Sequence, residues 1–161
     1  MAELWRPAYV AIGSNLNSPV DRVGEAFERL ATLKVRNLVR SRLYQARPMG
    51  PQDQPEFINA AAGFLSVMSP RELLEALLGI ERSMGRERER RWGPRVIDLD
   101  LVWMVGGATD EAGLKVPHPG VSSRNFVLYP LSDIAPTLNI PGLGRVDEMK
   151  RAVGDDGISV V

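Results

Sequence analysis

The stretch Ser69-Pro70-Arg71-Glu72-Leu73-Leu74-Glu75-Ala76-Leu77-Leu78-Gly79-Ile80-Glu81-Arg82-Ser83-Met84-Gly85 decides how the chain is organised, because it repeats a start signal the chain has already used. Serine at the cap, proline in the first turn and glutamate three residues after the serine open a helix. Leu73, Leu74, Leu77, Ile80, Glu81 and Met84 then recur at helical spacing, and Gly85 ends the run. The earlier copy is Ser18-Pro19-Val20-Asp21, followed by Val23, Ala26, Phe27, Leu30 and Leu33 along one apolar face. Ahead of it, Ala8-Tyr9-Val10-Ala11-Ile12-Gly13 reads as a buried strand. Between the two helices the sequence predicts strands over 37–46 and 57–67, separated by Arg47-Pro48-Met49-Gly50-Pro51-Gln52-Asp53-Gln54-Pro55, whose three prolines and glycine exclude regular structure. After the second helix comes an arginine-rich loop, then a strand over 96–105 that Gly106-Gly107 stops. The order is β-α-β-β-α-β. That order predicts the α+β class, a ferredoxin-like split β-α-β-β-α-β antiparallel sheet with helices on one face. From Leu114 onward, short turn-rich elements are expected to cover the other face, giving α/β/α layers, or to extend the sheet.

Composition narrows the classes of function. A chain of 161 residues with 44% hydrophobic and 25% charged residues suits one soluble domain over 1–161. No cysteine is present, which removes disulfides, thiol catalysis and thiolate metal sites. No apolar run approaches the roughly 20 residues of a membrane span, and Met1 to Pro7 lacks the apolar core of a signal peptide, so a cytoplasmic protein is expected. Twenty basic residues balance twenty acidic ones, against a general polyanion binder. Phosphate recognition, if any, rests on local charge, and only Lys34, Lys115 and Lys150 among the basic residues are not arginine.

That local charge sits in Arg91-Trp92-Gly93-Pro94-Arg95-Val96-Ile97-Asp98-Leu99-Asp100-Leu101. On a strand, Asp98 and Asp100 project from one face while Ile97, Leu99 and Leu101 fill the other. Paired carboxylates repel and are costly to desolvate unless a divalent cation or arginines compensate. Hard oxygen ligands suit Mg²⁺, which shares its remaining positions with waters and phosphates. A half-exposed strand with a polar face accounts for an Asp-x-Asp pair alone equally well. The preceding loop, with Arg86, Arg88, Arg90, Arg91 and Arg95 against Glu87 and Glu89, tips the balance toward a phosphate clamp able to close over an anion.

Other phosphate devices are missing: there is no Gly-x-x-x-x-Gly-Lys-Ser/Thr loop and no Gly-x-Gly-x-x-Gly turn. His118 is the only histidine, which excludes a multi-histidine metal centre; in Val116-Pro117-His118-Pro119 it suits a ligand contact or a turn support equally. Phe57 and Phe126 belong more often to a core than to a ligand platform. Asn59 shares a strand face with Phe57, and an amide beside an aromatic can read the edge of a flat heterocycle.

Four ordered stretches together resemble the 6-hydroxymethyl-7,8-dihydropterin pyrophosphokinase family: Tyr9 to Leu16, Gly50 to Ala61, Arg91 to Asp100, and Val116-Pro117-His118 with Arg124-Asn125-Phe126. The resemblance spans about residues 8–140. It implies transfer of the β,γ-diphosphate of ATP to the pterin hydroxymethyl oxygen, in folate biosynthesis. It further implies two Mg²⁺ ions on Asp98 and Asp100, phosphate contacts from Arg86 and Arg95, and Trp92 on a closing loop. ATP-side positions match Glu81, His118 and Arg124. On the pterin side, Phe57 and Phe126 match the two aromatic faces and Asn59 the edge-reading amide, with Ala46, Met49 and Gly50 completing the pocket. Pro119, Gly113 and Leu78 depart from the family pattern near the nucleotide, so adenine contacts are expected to differ. The expected partners are small molecules alone, with no nucleic acid, no membrane and a monomeric chain.

Two other classes compete. An RNA-binding module would use the arginine loop on phosphates, but neutral charge and the absence of an RNA-binding aromatic motif on adjacent strands oppose it. A Mg²⁺-dependent phosphohydrolase would keep the acidic pair and use water as acceptor.

Overall fold

The structure is a computed structural model that describes residues 3–48, 53–85, 95–111 and 113–161. Its first strand, β1 (Arg6–Ser14), leads into helix α1 (Pro19–Ala31). β2 (Val35–Arg40), β3 (Tyr44–Ala46) and β4 (Phe57–Ser66) follow, then α2 (Pro70–Ser83) and β5 (Asp98–Met104). The split β-α-β-β-α-β order is thus present, with one difference. The strand expected over 37–46 is two strands, both paired with β4: β2 along Ala62 to Ser66 and β3 along Phe57 to Asn59. Asn37 at φ +56° interrupts the β2 ladder with a register shift, and the chain leaves the sheet between Arg40 and Tyr44.

Both helix starts are where the serine-proline signals put them, but only the second is capped by its side chain. Ser69 Oγ accepts from the Glu72 amide at 3.1 Å while Glu72 Oε1 accepts from the Ser69 amide at 3.0 Å, a reciprocal capping box. Ser18 instead has left-handed backbone, φ +63° and ψ +72°, and makes no side-chain cap bond. Asn17 and Ser18 are both left-handed, a turn that replaces the extended cap geometry of Ser69.

The antiparallel main sheet runs β10-β3-β4-β1-β5 with β2 also on β4, where β10 is Ile158–Val160. One face of β1, Ala8, Val10 and Ile12, joins Ala60 and Ala62 of β4 and Leu99 and Leu101 of β5 in a core with Val23, Phe27 and Leu30 of α1 and Leu73 and Leu77 of α2. The remaining elements are a hairpin β6 (Thr109–Glu111) and β7 (Leu114–Val116), a 3-10 turn Val121–Ser123, α3 (Asn125–Ile134), a hairpin β8 (Asn139–Ile140) and β9 (Gly144–Arg145), and α4 (Val146–Val153). α3 packs on the second face of β4, β1 and β3, where Gly63 leaves room for Ile134 and Tyr9: a Cβ there would come within 3.3 Å of each. The late elements therefore do both things expected of them. α3, with α4 packed on it, covers the second face, giving α/β/α layers, and β10 extends the sheet by pairing with β3.

Tyr44, 2% exposed, ties α3 to β3: its hydroxyl donates to the Asp133 carboxylate (2.8 Å to Oδ1), which also accepts from Arg42 Nη2 at 2.9 Å. Burial and the adjacent carboxylate push the Tyr44 phenol up to about 12. Among the described residues, no helix is long and apolar enough to cross a membrane.

Candidate active site

Strand register builds the floor of the site. Gly13 of β1 lies opposite Asn59 of β4 on one side and Asp98 of β5 on the other; one row along, Ala11 lies between Ala61 and Asp100. Residues paired across antiparallel strands share a face, so an amide and a carboxylate stand two strand spacings apart, about 10 Å, over a strip of glycine and alanine. The strip must stay small: a Cβ on Gly13 would sit 3.2 Å from Asn59 Oδ1 and 3.6 Å from the Phe57 ring. Above it opens a cavity of about 540 Å³.

On one flank of that cavity are Phe57 and Asn59 of β4 with Phe126 of α3, and on its floor are Asp98, Asp100 and Arg95. Arg95 Nη1 donates to Asp98 Oδ2 at 2.8 Å. Asp100 is crowded by charge of its own sign. Burial first, then the carboxylates of Asp98 and Glu81, push it up to about 7 against the opposing pull of Arg124 and Arg95. A half-buried acidic pair under that repulsion has a donor set suited to Mg²⁺. Among the described residues no group of three His, Asp or Glu side chains converges on a common metal position.

The cavity continues around the outer edge of β5. There Glu81, 3% exposed, accepts the Leu99 amide at 2.7 Å through Oε2, anchoring α2 to the strand that carries both aspartates. The His118 amide donates to the Val102 carbonyl at 2.9 Å on the same edge. His118 Nδ1 accepts from the Gly120 amide at 3.2 Å, which leaves Nε2 as the protonated nitrogen of the neutral ring. Burial and then Arg124 lower the His118 pKa below its ordinary value, so the neutral ring is the form held near pH 7. The guanidinium of Arg124 lies across Gly120, whose added Cβ would be 2.5 Å from it. Leu74 and Leu78 of α2, Gly113, Lys115 and Pro119 also line the cavity, so the three positions at which different adenine contacts are expected, Leu78, Gly113 and Pro119, open on the same space.

Of the residues picked out in the sequence, Phe57, Asn59, Glu81, Arg95, Asp98, Asp100, His118, Arg124 and Phe126 line this one cavity. Ala46 lines an adjoining cavity of about 470 Å³ that shares Arg47, Arg124 and Phe126 with the first. Arg86, Trp92, Met49 and Gly50, and with them the arginine-loop clamp, lie outside the described residues. Three participants escaped the sequence reading: Arg47 and Lys115, which line the cavity, and Asn15. Asn15, 1% exposed, donates through Nδ2 to Gln54 Oε1 at 3.0 Å and the Pro55 carbonyl at 2.9 Å, and accepts the Arg95 amide through Oδ1 at 2.8 Å. It bolts the segment leading into Phe57 to the segment leading into Asp98. Its place in the stretch Tyr9 to Leu16 is the advance signal the sequence carried for it.

Known proteins resemble the chain over most of its length. A family model described as 7,8-dihydro-6-hydroxymethylpterin-pyrophosphokinase matches residues 9–136. The 2-amino-4-hydroxy-6-hydroxymethyldihydropteridine pyrophosphokinase of Pseudomonas aeruginosa is 43% identical over 153 residues, covering 93% of each chain. The protein of the same name from Haemophilus influenzae is 39% identical over 149 residues, 92% of this chain and 93% of that one. In the solved structure of wild-type Plasmodium falciparum HPPK-DHPS, the likeness covers 94% of this chain and 45% of that chain, with a TM-score of 0.70 at 12% identity. This chain thus spans a little under half of that longer one, and the likeness there is one of fold, the ferredoxin-like core included. From the family match over most of its length and relatives at this identity, the chain belongs to the 7,8-dihydro-6-hydroxymethylpterin-pyrophosphokinase family.

Proposed function

We propose that this cavity transfers the β,γ-diphosphate of ATP to the hydroxymethyl oxygen of 6-hydroxymethyl-7,8-dihydropterin and releases AMP. Pyrophosphokinase activity in folate biosynthesis follows from the family; the assignment of roles to residues rests on the cavity. The observation that carries it is the row Asn59, Gly13, Asp98, which puts an edge-reading amide and an acidic pair at the two ends of one bare strip. Phe57 and Phe126 offer their ring faces to the pterin, and the Asn59 amide can both donate to and accept from its edge. The family resemblance assigns Ala46, Met49 and Gly50 to the acceptor as well, and of these Ala46 lines the adjoining cavity.

Asp98 and Asp100 would hold Mg²⁺, two ions in this reading, which when bound offset phosphate charge and align the reacting oxygens. Arg95, tied to Asp98, keeps a fixed cation beside the phosphate chain, and Arg86 with Trp92 acts from the neighbouring segment. Glu81, Arg124 and the Nε2–H of His118 face the nucleotide side, with Leu74, Leu78 and Lys115 beyond them. The hydroxymethyl oxygen bonds to the β-phosphorus as the bond from that phosphorus to the α,β-bridging oxygen breaks. AMP leaves with the electron pair, and the hydroxyl proton passes to the Asp100 carboxylate or to solvent. Positioning and charge stabilisation suffice for such a transfer. In this reading the enzyme works in the cytoplasm as a monomer, one chain supplying the described walls of the site.

Incubation with ATP, Mg²⁺ and the hydroxymethyl pterin, followed by nucleotide chromatography, tests it. The expected products are AMP and the pterin diphosphate in equal amounts. ADP in place of AMP overturns diphosphate transfer, and turnover by an Asp98→Ala, Asp100→Ala double variant overturns the metal assignment.

A further inference from the structure

Residues 154–157, between α4 and β10, lie beyond the segment 9–136 matched by the family model, yet they hold both walls of the acceptor side. Asn125, the first residue of α3 and the neighbour of Phe126, donates through Nδ2 to the Gly154 carbonyl at 3.2 Å and the Asp156 carbonyl at 2.9 Å. From the segment after β3, the Arg47 amide donates to the Gly157 carbonyl at 3.2 Å, and Arg47 Nη2 meets Asp156 Oδ2 at 2.7 Å. The next residue, Ile158, pairs with Ala46 across the β10–β3 ladder. One turn is therefore bonded to α3 just before Phe126 and to β3 just after Ala46.

Gly157 is the pivot of this arrangement. Its φ of +74° is a conformation side chains disfavour, and an added Cβ would lie 2.3 Å from Arg47 Nε and 2.7 Å from Nη2. The guanidinium rests on the bare glycine, so a side chain at 157 evicts it. The Arg47–Asp156 pair itself is exposed and contributes little. The grip comes from the glycine seat and the backbone carbonyls. Arg47 and Phe126 both line the main and the adjoining cavity, so their separation sets the width of the acceptor side.

We propose that the 154–157 turn is a positioning element for the acceptor: it sets the spacing between the Phe126 wall and the Arg47 wall, with Gly157 and Asn125 as positioning residues. The inference rests on the pterin transferase reading. Of the residues assigned to the ATP side, Glu81, His118 and Lys115 lie outside the adjoining cavity that Asp156 and Gly157 line, and Arg124 reaches it, so the larger effect falls on the acceptor.

The test is steady-state kinetics of AMP release for the full chain carrying Gly157→Ala, Asn125→Ala or Arg47→Ala, with the double variant Gly157→Ala, Arg47→Ala closing a cycle. Gly142→Ala is the control, because Gly142 has a similar φ of +82° but nothing within 4 Å of its Cβ position. Gly157→Ala and Asn125→Ala should each raise the KM for the pterin about 5- to 30-fold, the loss of one or two hydrogen-bonded supports, and change the KM for ATP less than about twofold. Gly142→Ala should leave both constants unchanged. In the double variant the effect of Gly157→Ala should largely disappear, because the guanidinium it displaces is gone. Unchanged pterin KM in Gly157→Ala and Asn125→Ala, equal rises in both KM values, or an additive double variant overturns the inference. Absence of pterin-dependent AMP release from the wild-type enzyme overturns the functional reading instead.

Discussion

Replacing Asp100 by asparagine should make the metal-free protein more stable at pH 8 while removing its activity. The carboxyl of Asp100 is pushed up to about 7 from an ordinary 3.8, by burial first and then by Asp98 and Glu81. A carboxyl with a raised folded-state pKa binds its proton more tightly folded than unfolded. Its contribution is thus fully present below about pH 4, is lost as pH rises toward 7, and is flat above. At about 1.4 kcal/mol per unit the shift amounts to about 4 kcal/mol as a ceiling, and relaxation around the site brings the expected gain from the neutral amide to about 2 kcal/mol. Urea denaturation of wild type and Asp100→Asn in EDTA between pH 4 and pH 8 measures it. The difference between the two curves isolates this residue from the other titrating groups. The variant should be about 2 kcal/mol more stable at pH 8, with the gap closing toward pH 4. Adding Mg²⁺ at pH 8 should stabilise the wild type and narrow the gap, because a ligand that binds only the folded state adds its binding free energy. A variant equal to or less stable than wild type at pH 8 in EDTA would refute the idea that the site stores charge repulsion for a cation.

Two further outcomes follow from buried polar groups. Asn15→Ala leaves the Arg95 amide, Gln54 and the Pro55 carbonyl without the partner they now share, so urea denaturation should show a loss of about 2–4 kcal/mol; a change below about 0.5 kcal/mol would refute the bolt. Nitrogen-15 NMR should find His118 neutral at pH 7 with its proton on Nε2, and should place its titration below 6.5, the sign set by burial and Arg124. A folded-state pKa lowered in this way favours folding above pH 6.5 and loses that contribution as pH falls; titration at or above 6.5 would contradict the site's electrostatics.

Much of the fold was legible because local rules and the tertiary answer agree. The two serine-proline starts, the apolar stripes of α1 and α2, and the alternation in β5 are all consequences of periodicity. The reading failed where local signals carried no information about pairing. Nothing in the run from 37 to 46 marks where β2 ends and β3 begins, because both strands find their partner in β4, at opposite ends of it. Ser18 obeys the capping pattern by type and disobeys it by conformation, since its hydroxyl's direction depends on the turn before it.

The sequence by itself determined the chemistry available: two carboxylates two apart on a strand, a basic segment ahead of them, aromatics beside an amide, and no thiol or histidine cluster to support another mechanism. Residue type and period are local properties, and they suffice for that list. Only the tertiary structure decided that Asn59 and Asp98 face each other across Gly13, that Glu81 and His118 share the edge of β5, and that a turn near residue 157 grips Arg47 and Asn125. Those are relations between segments tens of residues apart. They are set by strand register and by which buried amides need partners, and neither quantity exists until the chain has folded.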